Sequence, residues 1–513
     1  MTTGYVTRAP VAGGSIRSSV GAGEHCCPQL VPRRAAGRAR RAQPTRGPHV
    51  LPDRQFGPRR RSAPCRTLGR AAALAATLSA LALATVPRDA RAQQRQGTTA
   101  DVFRRFADRT LRIQVTEAGS AAKASVGTGF YVDAEGHVLT NYHVVAQLVT
   151  APGRYRAEVA GPDGAAAPLT VAALDVVHDL ALLAAPRPGP AFFQLGRAEV
   201  PRGARLYALG HPRDLGLSIV EGTYNGLLEH TLYPKIHFTG SLNPGMSGGP
   251  ALDEDGAVVG VNVSTGGDGL SFLVPVAYAT DLLDRARGAR FRPASDLLGD
   301  VARQLRDYQA AYVAPLFTPG TPTVSLGAFT VPTTPAPFFR CWADAKRTAG
   351  QPYELVDHRC STDDEVYVSA EQSSGVVEVR HRVLTSTRLD ASQFAALHSR
   401  EFEGDGEGPF GSDDEVTAFK CETRNVRLKA VEAGGHSAAP AARERRLRVQ
   451  LCVRRYRKLE RLYDAVLRAA PLGTGVDAPR RVGLVTTLTM SGVTFESVQQ
   501  LTRRYLERVS WHR

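Results

Sequence analysis

Cysteine is missing from residues 66–340 of this 513-residue chain. Three of its seven cysteines precede that gap (Cys26, Cys27, Cys65) and four follow it (Cys341, Cys360, Cys421, Cys452). The gap excludes a thiol nucleophile or a disulfide scaffold in the middle of the chain. The four late cysteines lack paired C-x2-4-C spacings, so a zinc site is not expected either. Acids and lysine are scarce at the N-terminal end. Residues 1–92 hold sixteen arginines, no lysine and three acids, which is thirteen of the net +15, and the other 421 residues carry only +2. A body so near neutrality lacks the basic face of a nucleic-acid binder, and no nucleic-acid partner is expected. Long apolar runs are missing too. The most apolar stretch, residues 71–84, has 14 residues, where a membrane-spanning helix needs about 20. The acidic, glycine-rich run at 401–414 lacks the ordered ligand spacing of a calcium loop. It reads as a solvated loop, and no metal or other cofactor is expected.

The N-terminal part divides in two. Residues 1–65 are rich in Arg, Gly, Pro and Ala and cannot bury a core, so they read as a disordered leader. Residues 66–92 have the order of a secretory signal peptide. Arg66 and Arg70 precede the apolar stretch, and a small-x-small cleavage site follows at Ala90-Arg91-Ala92. The expected product is exported, periplasmic or extracellular, with no membrane span after cleavage; an uncleaved anchor is the alternative. Four cysteines in an exported chain read as two disulfides with three possible connectivities. Cys341–Cys360 and Cys421–Cys452 are favoured because each pair is local and flanks predicted strands.

The chemistry lies between these regions. In Asn243-Pro244-Gly245-Met246-Ser247-Gly248-Gly249-Pro250 a serine sits among glycines and a strand-like run follows. Glycines leave room for a carbonyl to reach the hydroxyl and let backbone N–H groups converge on one point. An oxyanion hole needs such convergence. By itself the string could be an ordinary turn. A serine also needs a base, and His143 follows the strand pair Gly127–Val132 and His137–Asn141 directly. An acid at the mouth of an apolar strand is costly unless hydrogen-bonded. Asp179, in His178-Asp179-Leu180-Ala181-Leu182-Leu183, can meet that cost by holding an imidazole; Asp175 is its rival, and a strand cap is the bland alternative. The order His143, Asp179, Ser247 is the His…Asp…Ser order of the chymotrypsin-type fold.

Gly127-Thr128-Gly129-Phe130, Leu139-Thr140-Asn141-Tyr142-His143-Val144-Val145, Asp179-Leu180-Ala181-Leu182-Leu183 and Gly245-Met246-Ser247-Gly248-Gly249-Pro250 together resemble the HtrA/Deg branch of trypsin-like serine peptidases. The resemblance covers roughly residues 110–290. It implies His143 as general base, Asp179 as orienting acid, Ser247 as nucleophile, and the N–H groups of Gly245 and Ser247 as oxyanion donors. It also places Ser241 at the base of the S1 pocket, where Arg- and Lys-specific relatives carry an acid, with Phe272, Leu273 and Val274 as the pocket wall. Small or aliphatic P1 residues of protein or peptide substrates are then expected. The sequence departs from the pattern at Met246, where a small polar residue is usual, and at Gly240, where Asp is common. No peptide-binding loop of the PDZ type follows residue 290. The oligomeric state is not legible.

Short Val/Leu-rich strands punctuated by Gly, Pro and Asp predict an all-β double six-stranded barrel over residues 93–290. A helix over 291–312, capped by Ser295, follows. Residues 313–338, with prolines at 315, 319, 322, 332, 335 and 337, predict an extended linker. A separate α+β domain fills 339–513. Strands are predicted around 365–368, 375–380, 447–453 and 484–488, and helices at 459–467 and 495–509. Two other functional classes stand beside the endopeptidase: a catalytically silent protease-fold binder, and a C-terminal binding module whose partner the protease processes.

Overall fold

The computed structural model describes residues 99–511 except 121, 161–165, 187–190, 197–199, 268, 334, 347–349, 363–364, 405–407, 410, 429–444 and 473–478. The leader and signal-peptide readings lie outside the described residues. After helix α1 (Thr99–Phe106), six antiparallel strands close the first barrel in the order β1-β2-β3-β6-β5-β4. They are β1 (Thr110–Glu117), β2 (Lys123–Tyr131), β3 (His137–Thr140), β4 (Tyr155–Ala160), β5 (Ala166–Asp175) and β6 (Leu180–Ala184). Helix α2 (Tyr142–Thr150) leaves β3 directly. The second barrel, in the order β10-β11-β12-β9-β8-β7, comprises β7 (Arg205–Gly210), β8 (Ser218–Leu227), β9 (Ile236–Phe238), β10 (Pro250–Leu252), β11 (Val258–Gly267) and β12 (Leu270–Pro275). Phe106, Phe130, Leu139 and Leu182 pack in one buried cluster with Tyr207, Leu209, Val261 and Val274, so the barrels share a core along the cleft between them. The expected double barrel is what the chain forms.

Helix α3 (Val276–Gly288) closes the second barrel, and α4 (Leu297–Val313) leads onward. The cap of α4 is Asp296 rather than Ser295: its carboxylate accepts from the Gly299 N–H at 2.9 Å, where a charged oxygen also meets the positive helix end. This helix joins two cores. Val301, Ala302 and Leu305 bury against the first barrel, whereas Tyr312 and Val313 bury in the C-terminal region.

Residues 313–338 depart from the extended linker expected. They form a hairpin of β13 (Thr323–Leu326) and β14 (Phe329–Pro332), and Leu316, Phe317, Phe329 and Val331 are fully buried. The prolines sit at turns and strand ends, where no ladder donor is needed, and the apolar residues between them supply the packing.

Next come β15 (Phe339–Lys346), β16 (Glu354–Thr362), the short hairpin β17 (Val366–Ser369) and β18 (Gln372–Ser374), β19 (Val377–Ser386), α5 (Ala391–Glu403), β20 (Lys420–Leu428), β21 (Arg445–Arg455), β22 (Tyr463–Pro471), β23 (Arg481–Val493), α6 (Phe495–Glu507) and β24 (Ser510–Trp511). Seven of these strands form one antiparallel sheet in the order β15-β16-β19-β23-β22-β21-β20. Helix α6 packs Val498, Leu501 and Tyr505 on one face, and α5 places Phe394 and Phe402 on the other. Where a helix is expected at 459–467, residues 459–462 form a turn and 463–467 begin β22. This strand is buried on both faces, and that hides the two-residue alternation by which strands are recognised. The disulfides Cys341–Cys360 and Cys421–Cys452 join directly opposed residues of β15/β16 and β20/β21, so each staples one edge strand of the sheet.

The C-terminal region is not packed as a separate body. Val366 and Val368 of the hairpin, with Val416, Tyr456, Leu459 and Leu462, lie in the same buried cluster as Tyr142, Val145 and Val149 of α2. Among the described residues no helix is long and apolar enough to cross a membrane.

Candidate active site

Gly127 and Gly129 on β2 are required by packing. A Cβ on Gly127 would lie 2.6 Å from the Val144 side chain, and one on Gly129 would lie 2.6 Å from Ile113. Thr128 between them spans the two barrels. Its N–H donates to the Ser247 carbonyl at 2.8 Å and its hydroxyl to the Gly245 carbonyl at 2.7 Å, while it accepts from the His211 N–H at 3.0 Å.

Strand β3 ends at Thr140, and Asn141 starts α2 with extended backbone. His143 therefore lies in the first turn of the helix. Its Nδ1 is 2.6 Å from Asp179 Oδ2, and its own N–H donates to Asp179 Oδ1 at 2.8 Å. Asp179 holds a left-handed φ of 55°, a region that Asp tolerates better than most residues. The Asn141 side chain (2.8 Å) and the Tyr142 N–H (3.1 Å) both donate to its carbonyl. Both carboxylate oxygens and the carbonyl of this buried acid are thus accounted for. Burial opposes protonation of His143, but the Asp179 charge and hydrogen bond outweigh it and hold the imidazole pKa above its ordinary value. Asp175 is engaged elsewhere. It pairs with His178 at 3.0 Å and Arg285 at 3.1 Å, and His178 stacks on Tyr278.

The serine loop is set by its backbone. Met246 N–H donates to the Asn243 carbonyl at 3.0 Å, and Gly245 has φ 98°. Pro and Gly in the middle positions suit a type II turn. Gly248 has φ 84°, and a Cβ there would lie 2.2 Å from the Thr128 carbonyl oxygen; one on Gly249 would lie 2.1 Å from the Leu209 carbonyl oxygen. Asn262, buried in β11, ties the loop down. Its backbone exchanges hydrogen bonds with Gly248 and Gly249, and its amide reaches the carbonyls of Leu209 (2.9 Å) and Met246 (3.3 Å). A lone Asn in the apolar run 258–263 was the signal for it. Met246 is wholly buried in the second-barrel core, so its departure from the usual small polar residue is a packing feature. The Ser247 hydroxyl donates to the Val263 carbonyl at 3.1 Å. Among the described residues nothing accepts from the N–H of Gly245 or Ser247.

Ser241 is exposed and Phe272 half-buried, while Leu273 and Val274 are completely buried in the barrel cores. Asp133 and Glu135, in the turn between β2 and β3, and His137, which opens β3, bring three potential metal-ligand atoms within 4.8 Å of one another. The Asp133 carboxylate there is already engaged by the His137 ring at 2.7 Å and by two backbone N–H groups. One residue at the site had no signal in the sequence: Tyr367, on β17, whose ring centroid lies 5.8 Å from that of His143.

Residues 127–261 match a trypsin-like peptidase domain. The chain is 31% identical over 193 residues to a probable periplasmic serine endoprotease DegP-like of Halomonas elongata, covering 36% of this chain and 40% of the relative. It is 32% identical over 200 residues to the mitochondrial serine protease HTRA2 of Bos taurus, covering 36% and 42%. The chain thus spans about two fifths of the length of these relatives. A solved serine endoprotease from Yersinia pestis aligns at 22% identity with a TM-score of 0.32, covering 37% of this chain and 66% of that one. The barrels are therefore a trypsin-like peptidase domain with homology to the HtrA/DegP serine endoproteases.

Proposed function

We propose that the double barrel is a serine endopeptidase acting on protein or peptide substrates, with His143, Asp179 and Ser247 as its triad. The observation that carries this reading is the two-point hold of Asp179 on His143, through Nδ1 and the backbone N–H. With Nδ1 committed as a donor, Nε2 is left as the lone pair that takes the serine proton. The Ser247 hydroxyl leaves the Val263 carbonyl, gives its proton to Nε2 and attacks the substrate carbonyl. Negative charge then develops where the N–H groups of Gly245 and Ser247 have no competing acceptor. The resulting imidazolium protonates the leaving amine, and water hydrolyses the acyl-enzyme by the same route.

The S1 pocket would favour Val, Ala or Thr and reject Arg and Lys. Residues 238–246 contain no acid, and burying an unpaired cation costs several kcal/mol. A peptide series varied only at P1 tests this, and a higher kcat/KM for Arg than for Val sinks it. Export, with the mature chain starting near Gln93, accords with the two disulfides, and N-terminal sequencing of secreted protein tests it.

The deciding experiment is labelling by a fluorophosphonate probe together with peptide hydrolysis, each compared with Ser247→Ala. Loss of turnover on the order of 10⁶ is expected. Equal hydrolysis by a clean Ser247→Ala preparation overturns the reading.

A further inference from the structure

One hydrogen bond through Nδ1 leaves an imidazole free to tilt or to swing outward by a change of rotamer. Neighbouring side chains must remove that freedom. Next to His143 the neighbour comes from the C-terminal region, 224 residues along the chain. Hairpin β17–β18 lies on α2, and its Tyr367 ring meets the His143 imidazole at 5.8 Å with an interplanar angle of 67°. The same ring meets Tyr142 at 6.4 Å.

The hairpin is held at both ends. On the barrel side Tyr142 donates its hydroxyl to the Val368 carbonyl at 3.1 Å, and Val366 and Val368 are buried with α2. On the sheet side the Tyr456 hydroxyl lies 2.9 Å from both the Ser373 carbonyl and Asp464. Asp464 is itself buried and paired with Arg454 at 2.8 Å. A hairpin anchored from both sides holds the backbone that carries Tyr367 beside the histidine, so its ring stays within reach of the imidazole.

We infer that Tyr367, delivered from the C-terminal region by hairpin β17–β18, is a positioning residue for His143. It confines the imidazole to the orientation that Asp179 requires and keeps water off the shared hydrogen bond. The inference rests on His143 being the general base. It gives the C-terminal region a part in the catalytic centre itself: the barrels alone lack one wall of the histidine's site.

The test uses the full chain and two readouts. One is steady-state hydrolysis of a peptide substrate by wild type, Tyr367→Phe and Tyr367→Leu, where leucine retains bulk if alanine prevents folding. The other is the low-field proton resonance of His143 Nδ1, recorded with ¹⁵N-histidine label in the Ser247→Ala background, which needs no turnover. Tyr367→Phe should match wild type in both. Tyr367→Leu should lower kcat by about 10- to 100-fold, the scale of a small misplacement of a reacting group, with KM unchanged. Its low-field signal should broaden or vanish although melting is unaltered. Retention of the signal and of kcat within twofold in Tyr367→Leu overturns the inference. A wild type that neither hydrolyses peptide nor takes up a fluorophosphonate instead overturns the peptidase reading, and the resonance then still decides whether Tyr367 orients His143.

Discussion

Replacing Asp179 by asparagine removes one negative charge and leaves the number of heavy atoms unchanged, yet the structure sets a large penalty for it. Asp179 Oδ1 accepts from the His143 N–H at 2.8 Å and Oδ2 from Nδ1 at 2.6 Å. An asparagine must keep its carbonyl oxygen on the backbone N–H, because that donor cannot turn away. Its NH₂ group then faces Nδ1 and makes it an acceptor, so the ring proton moves to Nε2. A protonated Nε2 cannot take the proton of Ser247. The expected loss in kcat is on the order of 10⁴, about 5.5 kcal/mol of transition-state stabilisation. Asp175→Asn is the control. Asp175 lies four residues away and serves His178 and Arg285, so its loss should lower the melting temperature and leave kcat within a few-fold. Steady-state hydrolysis of one peptide at saturating substrate, with thermal melts of each variant, measures both. If Asp179→Asn stays within tenfold of wild type, or Asp175→Asn loses as much as Asp179→Asn, the assignment of Asp179 to His143 is refuted.

Further outcomes follow from other parts of the molecule. Gly248→Ala places a methyl 2.2 Å from a backbone oxygen at φ 84°. It should cost at least about 2 kcal/mol of stability and displace the serine loop, seen as a lower urea midpoint and loss of probe labelling. His381 is buried, with Thr486 and the Pro332 carbonyl each 2.7 Å from a ring nitrogen. Burial pushes its pKa down to about 3. The unfolded chain, with an imidazole near pKa 6.5, therefore binds the proton first as pH falls. The stability this neutral histidine contributes is complete above about pH 6.5 and is lost progressively toward pH 3, by about 2 kcal/mol at pH 5. Denaturant melts of wild type and His381→Gln from pH 7 to 4 should converge at the acid end, and parallel curves would refute the argument. Reducing Cys341–Cys360 or Cys421–Cys452 opens loops of 19 and 31 residues, worth about 3 and 4 kcal/mol in the chain-entropy account. Double Cys→Ser variants should each show most of that loss in chemical denaturation, and unchanged midpoints would count against it.

The second barrel and its serine loop were legible because few residue types can do what those positions require. A turn with φ 98° at Gly245, and a glycine at 248 pressed against the Thr128 carbonyl, leave a local pattern that survives without coordinates. The order of His143, Asp179 and Ser247 can be read directly along the chain. A preference for the local cysteine pairs was legible too, since neighbouring strands bring short separations together. The long segments that misled did so for physical reasons. Residues 313–338 have the composition of a linker, and the burial of Phe317, Phe329 and Val331 depends on a sheet assembled from residues far downstream. Strand β22 is covered on both faces, so its apolar run carries no periodicity of its own.

By itself, then, the sequence determined the barrel fold, His143 and Ser247 as candidate base and nucleophile, and a preference for two local cysteine pairs, because each is written in motif spacing and in the residue types the chain presents there. Only the tertiary structure decided which of two nearby acids meets His143, since Asp175 ends β5, Asp179 lies in the turn that follows, and their carboxylates face different partners. Only it joined the C-terminal sheet to the first barrel and set Tyr367 against the imidazole. A contact between side chains 224 residues apart arises when a shared core is buried, and it leaves no pattern along the chain for periodicity or spacing to reveal.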